Sequence, residues 1–271
     1  MEIKHQGFNF IILILSGIIL AYVVFPLTTI LTFLEPANLL ESLTRPQIWD
    51  AFILSLITAT ISTSLLCLFG IPLVYFLARY SDFRGKFILR VIVIIPLVLL
   101  PLASGALLLG MFSPTSFLIQ ALPEIGFTQS MLGIIIAQTY VASPFMILAS
   151  QAAFESVDES YEKISRSLGK NRLETFFRIS IPLAKTGIII GAIMSWVRAA
   201  GELGATMMMA YNPHTISIQI FEDNAIGGLR QAVSGIILVV LLAILVITIF
   251  YITSNKGPRI ITLGKSKNGN S

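Results

Sequence analysis

Arg198 and Glu202 interrupt the apolar run of residues 184–210, and their spacing is the first sign of chemistry in this chain. Four residues apart, they share one face of a helix and can pair. Counted from residue 184 at about 1.5 Å per residue, Arg198 lies roughly 21 Å along a span of about 30 Å. An ionisable side chain at that depth faces protein or a water-filled path rather than lipid. Two readings fit the pair. One is a buried ion pair that ties the helix to its neighbours, and the other is a cation lining a route for an anion. Gly187 and Gly191, with Gly201, Gly204 and Ala205 further on, permit close helix approach or form the narrow wall of a pore. Met207, Met208 and Met209 supply either a soft apolar constriction or ordinary packing.

A second concentration of polar groups lies in residues 161–182. Lys163, Arg166, Lys170, Arg172 and Arg178 crowd into this stretch, with Glu162 and Glu174 between them. Tyr161, Ile164 and Leu168 recur at helical spacing, Gly169 breaks the run, and Leu173, Phe176 and Phe177 begin another stripe. The pattern predicts two short amphipathic helices joined at a glycine. Such a pair lies on a membrane surface or docks into another protein.

Enzymatic chemistry has little support. A nucleophile with a base, paired carboxylates or a metal cluster would be required, and none occurs at a telling spacing. Gly264-Lys265-Ser266 resembles the end of a phosphate-binding loop, but Arg259 stands where its first glycine belongs. The single Cys67 excludes a disulfide framework, and His5 and His214 have no ligand-like surroundings, so no metal is assigned. The chain is read as binding no cofactor.

The elements that hold these groups are membrane helices. Of 271 residues, 55% are hydrophobic and 12% charged, and the mean hydropathy is +0.87. A soluble domain carries roughly 25% charged residues. Six apolar spans are expected, at 8–33, 51–78, 91–112, 131–154, 184–210 and 232–253. Pro96 and Pro101 are expected to kink the third. The first is read as a transmembrane helix, since it is longer than a signal-peptide core and lacks a small-x-small cleavage site. Connections at 33–50, 113–130 and 211–231 are poor in Lys and Arg, whereas 79–90, 155–183 and the tail are rich. Both termini and the 155–183 loop are therefore expected in the cytoplasm. The reading divides the chain into residues 1–50 (N-terminus, first helix and external loop), a transmembrane domain at 51–253, and a basic tail at 254–271 expected to be disordered.

Gly169 followed by Ile179-Ser180-Ile181-Pro182 fits the pattern G-x9-I-x-L-P. This is the second half of the EAA loop of ABC-importer permeases, which the segment resembles. Lys163-Ile164-Ser165 departs from E-A-A, with Glu162 one place early, while Arg166-Ser167-Leu168-Gly169 resembles R-T-L-G. Pro144-Phe145, Ala153-Phe154-Glu155, Thr175-Phe176-Phe177 and Ile181-Pro182-Leu183-Ala184 look like corresponding stretches of molybdate/tungstate and sulfate permeases, and Phe127-Thr128 resembles the molybdate branch. The run from Arg198 to Thr206, RAAGELGAT, is similar to their R-A-L-G-E-F-G-A-T segment. The resemblance covers residues 51–253.

It implies an all-α, type I ABC-importer permease of six transmembrane helices in the cell membrane. Two copies would pair, each with a cytoplasmic ATPase that binds ATP and Mg, and an external binding protein would deliver the oxyanion. The 155–183 loop would be the coupling helix. Tyr161, Ile164, Leu168 and Phe176 would be its apolar anchors, Arg166, Lys170 and Arg172 its polar rim, and Gly169 its turn. Arg198, Glu202, Thr206 and Met208 would belong to the path or its gate. Molybdate or tungstate is the implied cargo, with sulfate or thiosulfate as the alternative. An ion-coupled secondary transporter is a different class, disfavoured by the helix-Gly-helix loop and by the shortage of acidic residues within spans.

Overall fold

The structure, a computed structural model, describes residues 2–33, 44–79, 85–113, 116, 119–120 and 126–254. The tail beyond Ser254, Glu124, most of the 33–50 connection and the turn containing Asp82 and Arg84 lie outside the described residues.

Regular structure among the described residues is helical throughout, as a bilayer requires of segments whose backbone must satisfy itself. Helix α1 is Glu2–Thr32; α2 (Pro46–Leu65) passes through a π-turn, Leu66–Gly70, into α3 (Ile71–Arg79). Next come α4 (Lys86–Val98), α5 (Pro101–Met111) and α6 (Met131–Ser156). The short helices α7 (Ser160–Ser167) and α8 (Arg172–Thr175) follow, then a second π-turn at Phe176–Ser180 and α9 (Ile181–Ala200). Helices α10 (Gly204–Met209) and α11 (Ile216–Ser254) complete the fold. Both π-turns end one residue before an Ile-Pro-Leu sequence, 71–73 or 181–183. A proline inside a helix has no N–H to give and crowds the carbonyl four residues back, so the turn ahead of it widens.

Five helical segments are long and apolar enough to cross a membrane, and α4 with α5 makes a sixth if taken as one broken span. The spans differ from expectation in three places. The third is not merely kinked, because α4 and α5 meet at 114°. Pro96 lies inside α4 without ending it. The break falls where Pro101 drives Leu100 to an extended ψ of 136°. The fifth starts before residue 184, running from Arg172 to Ala200, and stops short of the expected 210. Finally, the expected loop around Glu222 and Asp223 is helical from Ile216 onward. The chain bends instead at Gly228, whose φ of 67° and ψ of −167° suit a residue without a Cβ.

Helix α6 forms the middle of the bundle. Helix α9 lies against it through glycines: a Cβ at Gly187 would meet the Ala153 Cβ at 2.3 Å, and one at Gly191 the Met146 carbonyl oxygen at 3.1 Å. Ala142, Met146 and Phe154 of α6 bury against Val74, Ala184 and Ile188. A second cluster joins α5, α6 and α10 through Leu108, Ala137, Val141, Ala205 and Met209. In α1 every described side chain between Phe10 and Thr29 is exposed, which is the condition of a helix surrounded by lipid or by another subunit.

Close packing at Gly187 makes a direct prediction. Gly187→Val should lower folded stability by roughly 1–3 kcal/mol through overpacking. Gly110→Ala, where nothing lies within 4 Å of the added Cβ, should be neutral or better. Thermal unfolding in detergent reads both, and equal melting temperatures would show that α6 and α9 do not close on these glycines.

Candidate functional site

The loop between α6 and α9 is built from local signals. The Asp158 carboxylate accepts the Ser160 backbone N–H at 2.8 Å at the entry to α7. That bond, then one from the Ser160 hydroxyl, holds Asp158 below the usual carboxylate range. Helix α7 ends in a left-handed turn at Gly169, φ 86°, where the Lys170 N–H reaches the Ser165 carbonyl at 3.2 Å. This is the glycine-dependent helix stop that satisfies otherwise orphaned carbonyls. Asn171 then caps α8, its Oδ1 accepting the Glu174 N–H at 2.8 Å.

Turned outward are Tyr161, Ile164 and Leu168, at 55%, 57% and 78% exposure. The loop thus gathers three of the sequence-predicted apolar residues on one stripe, with Leu173 and Phe177 also exposed. Arg166, Lys170 and Arg172 are exposed beside them, and Lys170 Nζ lies 3.6 Å from Glu174. Phe176 does not join this surface. It is buried inside the chain, its ring centroid 4.7 Å from that of Tyr75, and Phe177 takes the outward position.

The inner face of α7 carries a residue whose role the sequence did not disclose. Glu162 is buried, and its Oε1 accepts Arg79 Nε at 2.8 Å and the Ser180 hydroxyl at 2.8 Å. The Tyr75 hydroxyl donates to Oε2 at 3.0 Å. Arg79 Nη2 also donates to the Val157 carbonyl at 2.9 Å, and the Ser165 and Thr175 hydroxyls lie 3.1 Å apart. A carboxylate removed from water is costly unless charged and neutral donors both satisfy it, and here they do. Beside it Tyr75, Arg79, Glu159, Arg166, Arg172 and Thr175 line a polar cavity of about 130 Å³. The available signal was the polar inner face itself. Glu162 and Ser165 lie one turn apart, on the face beside the apolar stripe, while Tyr75 and Arg79 form another i,i+4 pair at the end of α3.

Near the opposite end of α9 the structure brings Arg198 and Glu202 into a salt bridge. Glu202 lies beyond the helix end, buried, with Oε1 accepting the Ala205 N–H at 2.8 Å at the start of α10. Arg198 remains 27% exposed and borders an apolar cavity with Phe145, Met194 and Val246. Thr206 is fully buried, and its hydroxyl has no hydrogen-bond partner among the described residues. Met208 is half-buried against α5, and Met209 is wholly inside the second core cluster.

Residues 70–257 match the family described as binding-protein-dependent transport system inner membrane component. The chain is 40% identical over 220 residues to a probable molybdenum ABC transporter permease protein of Haloferax volcanii, covering 81% of each. To the molybdate/tungstate transport system permease protein of Pyrococcus abyssi it is 35% identical over 237 residues, 86% of this chain and 91% of that one. Among solved structures it resembles a chain of the bacterial alginate ABC transporter in complex with an alginate pentasaccharide-bound periplasmic protein. The TM-score is 0.71 at 16% identity, covering 93% of this chain and 96% of that one.

The loop geometry can be tested alone. Gly169→Val should strain the left-handed turn by about 1–2 kcal/mol and open the loop to protease. Gly169→Asn, which tolerates that conformation, should cleave nearly as slowly as the parent. Equal cleavage of the valine variant would contradict the turn.

Proposed function

This chain belongs to the family of binding-protein-dependent transport system inner membrane components, and on that premise we propose that it carries molybdate or tungstate into the cell. It is a multi-pass permease subunit of an ABC importer, and energy comes from elsewhere: two cytoplasmic ATPases, each binding ATP and Mg. The observation that carries the docking role is the exposed stripe of Tyr161, Ile164 and Leu168 on a loop whose other face is fixed by Glu162. Apolar residues held at a polar surface, rimmed by Arg166, Lys170 and Arg172, match the composition of a protein interface. The oxyanion cargo rests on the relatives' names and on the RAAGELGAT segment.

Two copies of the chain pair around one path, with both termini and the 155–183 loop in the cytoplasm. An external binding protein delivers the oxyanion. ATP binding draws the ATPases together, the docked loops move with them, and the path opens alternately to either side. Arg198 lies beside that path near the outer end, where a partly exposed guanidinium attracts a tetrahedral dianion while Glu202, already engaged with it, keeps the attraction weak enough for release. Thr206 and Met208 border the same end.

Proteoliposomes holding this chain with its ATPase and binding protein should accumulate molybdate or tungstate only when ATP is present. A tenfold excess of sulfate should leave accumulation largely intact. Full displacement by sulfate would reassign the cargo to sulfate, and ATP-independent uptake driven by an ion gradient would contradict the importer reading. In the same vesicles Arg198→Ala should cut uptake tenfold or more without releasing the ATPase. Unchanged uptake would remove Arg198 from the path.

A further inference from the structure

Glu162 joins three parts of the chain that are distant in sequence. Tyr75 and Arg79 reach it from α3, Ser180 from the end of the second π-turn, and Glu162 itself belongs to the docking helix. Each of the two long helices that meet here is widened by a π-turn on the side of the cluster nearer the membrane interior or at the cluster itself. Leu66–Gly70 separates α2 from α3, and Phe176–Ser180 separates α8 from α9. In the second, the Ile181 N–H bonds to the Phe176 carbonyl five residues back. Such turns have a weakened ladder, bend more readily than regular helix, and recur at working sites. Between them, Phe176 packs on Tyr75 and the Ser165 and Thr175 hydroxyls meet, so α3, α7 and α8 cohere through buried polar and aromatic contacts.

We propose that Arg79 and Glu162 form the pin by which the docking helix drives the second span, with α3, α7 and α8 moving as one body about the two π-turns. The proposal rests on the ATPase-docking reading of the loop. In this arrangement neither residue touches the cargo or the ATPase groove; both are positioning residues. A push on α7 passes through the buried ion pair to α3, and the Leu66–Gly70 turn absorbs the change of direction before α2. The exposed face of α7 is left free to bind while its inner face transmits.

Paired spin labels in the reconstituted complex test this. With labels at Lys163→Cys and Phe76→Cys, both exposed, the distance should stay constant between the nucleotide-free and ATP-bound states. With labels at Lys163→Cys and Ile61→Cys, on either side of the first π-turn, it should change. Adding Glu162→Gln should let the first distance change as well. ATP hydrolysis and ATPase recovery should stay within twofold of the parent, while the ATP consumed per molybdate taken up rises at least tenfold. Ser180→Ala, which removes one neutral donor and keeps the ion pair, should leave the first distance fixed. If both distances change alike in the parent, or if Glu162→Gln lowers hydrolysis, recovery and uptake in proportion, the pair only stabilises the fold and the proposal fails. A parent protein that recovers no ATPase would refute the docking reading, and the proposal with it. A parent that docks and transports while its α3–α7 distance varies would refute the pin alone.

Discussion

The Glu162 carboxylate is the constraint on which this structure depends. A charged group buried at the foot of a bundle is tolerated only with its donors in place, and those donors come from α3 and from the turn before α9. Their convergence fixes how α7 sits against the spans. With the polar side of α7 committed inward, its apolar side, Tyr161, Ile164 and Leu168, must face out. An apolar stripe displayed on a loop makes sense for a surface that another protein covers. Fold and function meet at this point, because the interaction that stabilises the loop also decides which residues it offers.

The opposite end of α9 solves a related problem differently. Glu202 is buried and bridges two elements, pairing with Arg198 at the end of α9 and capping the start of α10. The chain can therefore stop one helix and begin another with the carboxylate held between a guanidinium and a backbone N–H. Helix α10 in turn lies close against α5: a Cβ at Gly105 would come within 2.7 Å of the Ala205 Cα. The charged pair, the helix break and the bent α4–α5 element thus form one connected region, with a partly exposed guanidinium at its margin.

Much of this was legible in the sequence, and the losses have physical causes. Span number, the helix-Gly-helix loop and the Arg198–Glu202 pair could be read because they depend on local hydropathy, on a glycine turn and on i,i+4 spacing. The start of the fifth span was hidden because Glu174 and Arg178 make its first turns look like loop, although they lie in helix. Phe176, expected among the apolar anchors, turns inward because its ring packs on Tyr75 of α3, a partner too distant in sequence for any local pattern to reveal, while Phe177 of the same stripe stays exposed. The 114° bend between α4 and α5 was underestimated as a kink, since its size depends on how α5 packs on α10, a contact with residues roughly a hundred positions away. Glu162 looked like a motif residue out of register. Its partners Tyr75 and Arg79 lie 87 and 83 positions away, beyond the reach of any local pattern.

The docking face is the central claim and admits a direct measurement. The chain is recovered from its native membrane in mild detergent and the co-purifying proteins are identified, for the parent and for Leu168→Asp. The account predicts that a Walker-motif ATPase accompanies the parent and is lost from the variant, while the variant still pairs with itself and keeps its melting temperature. Equal recovery of the ATPase with Leu168→Asp, or its absence from the parent under conditions that preserve such complexes, would contradict it.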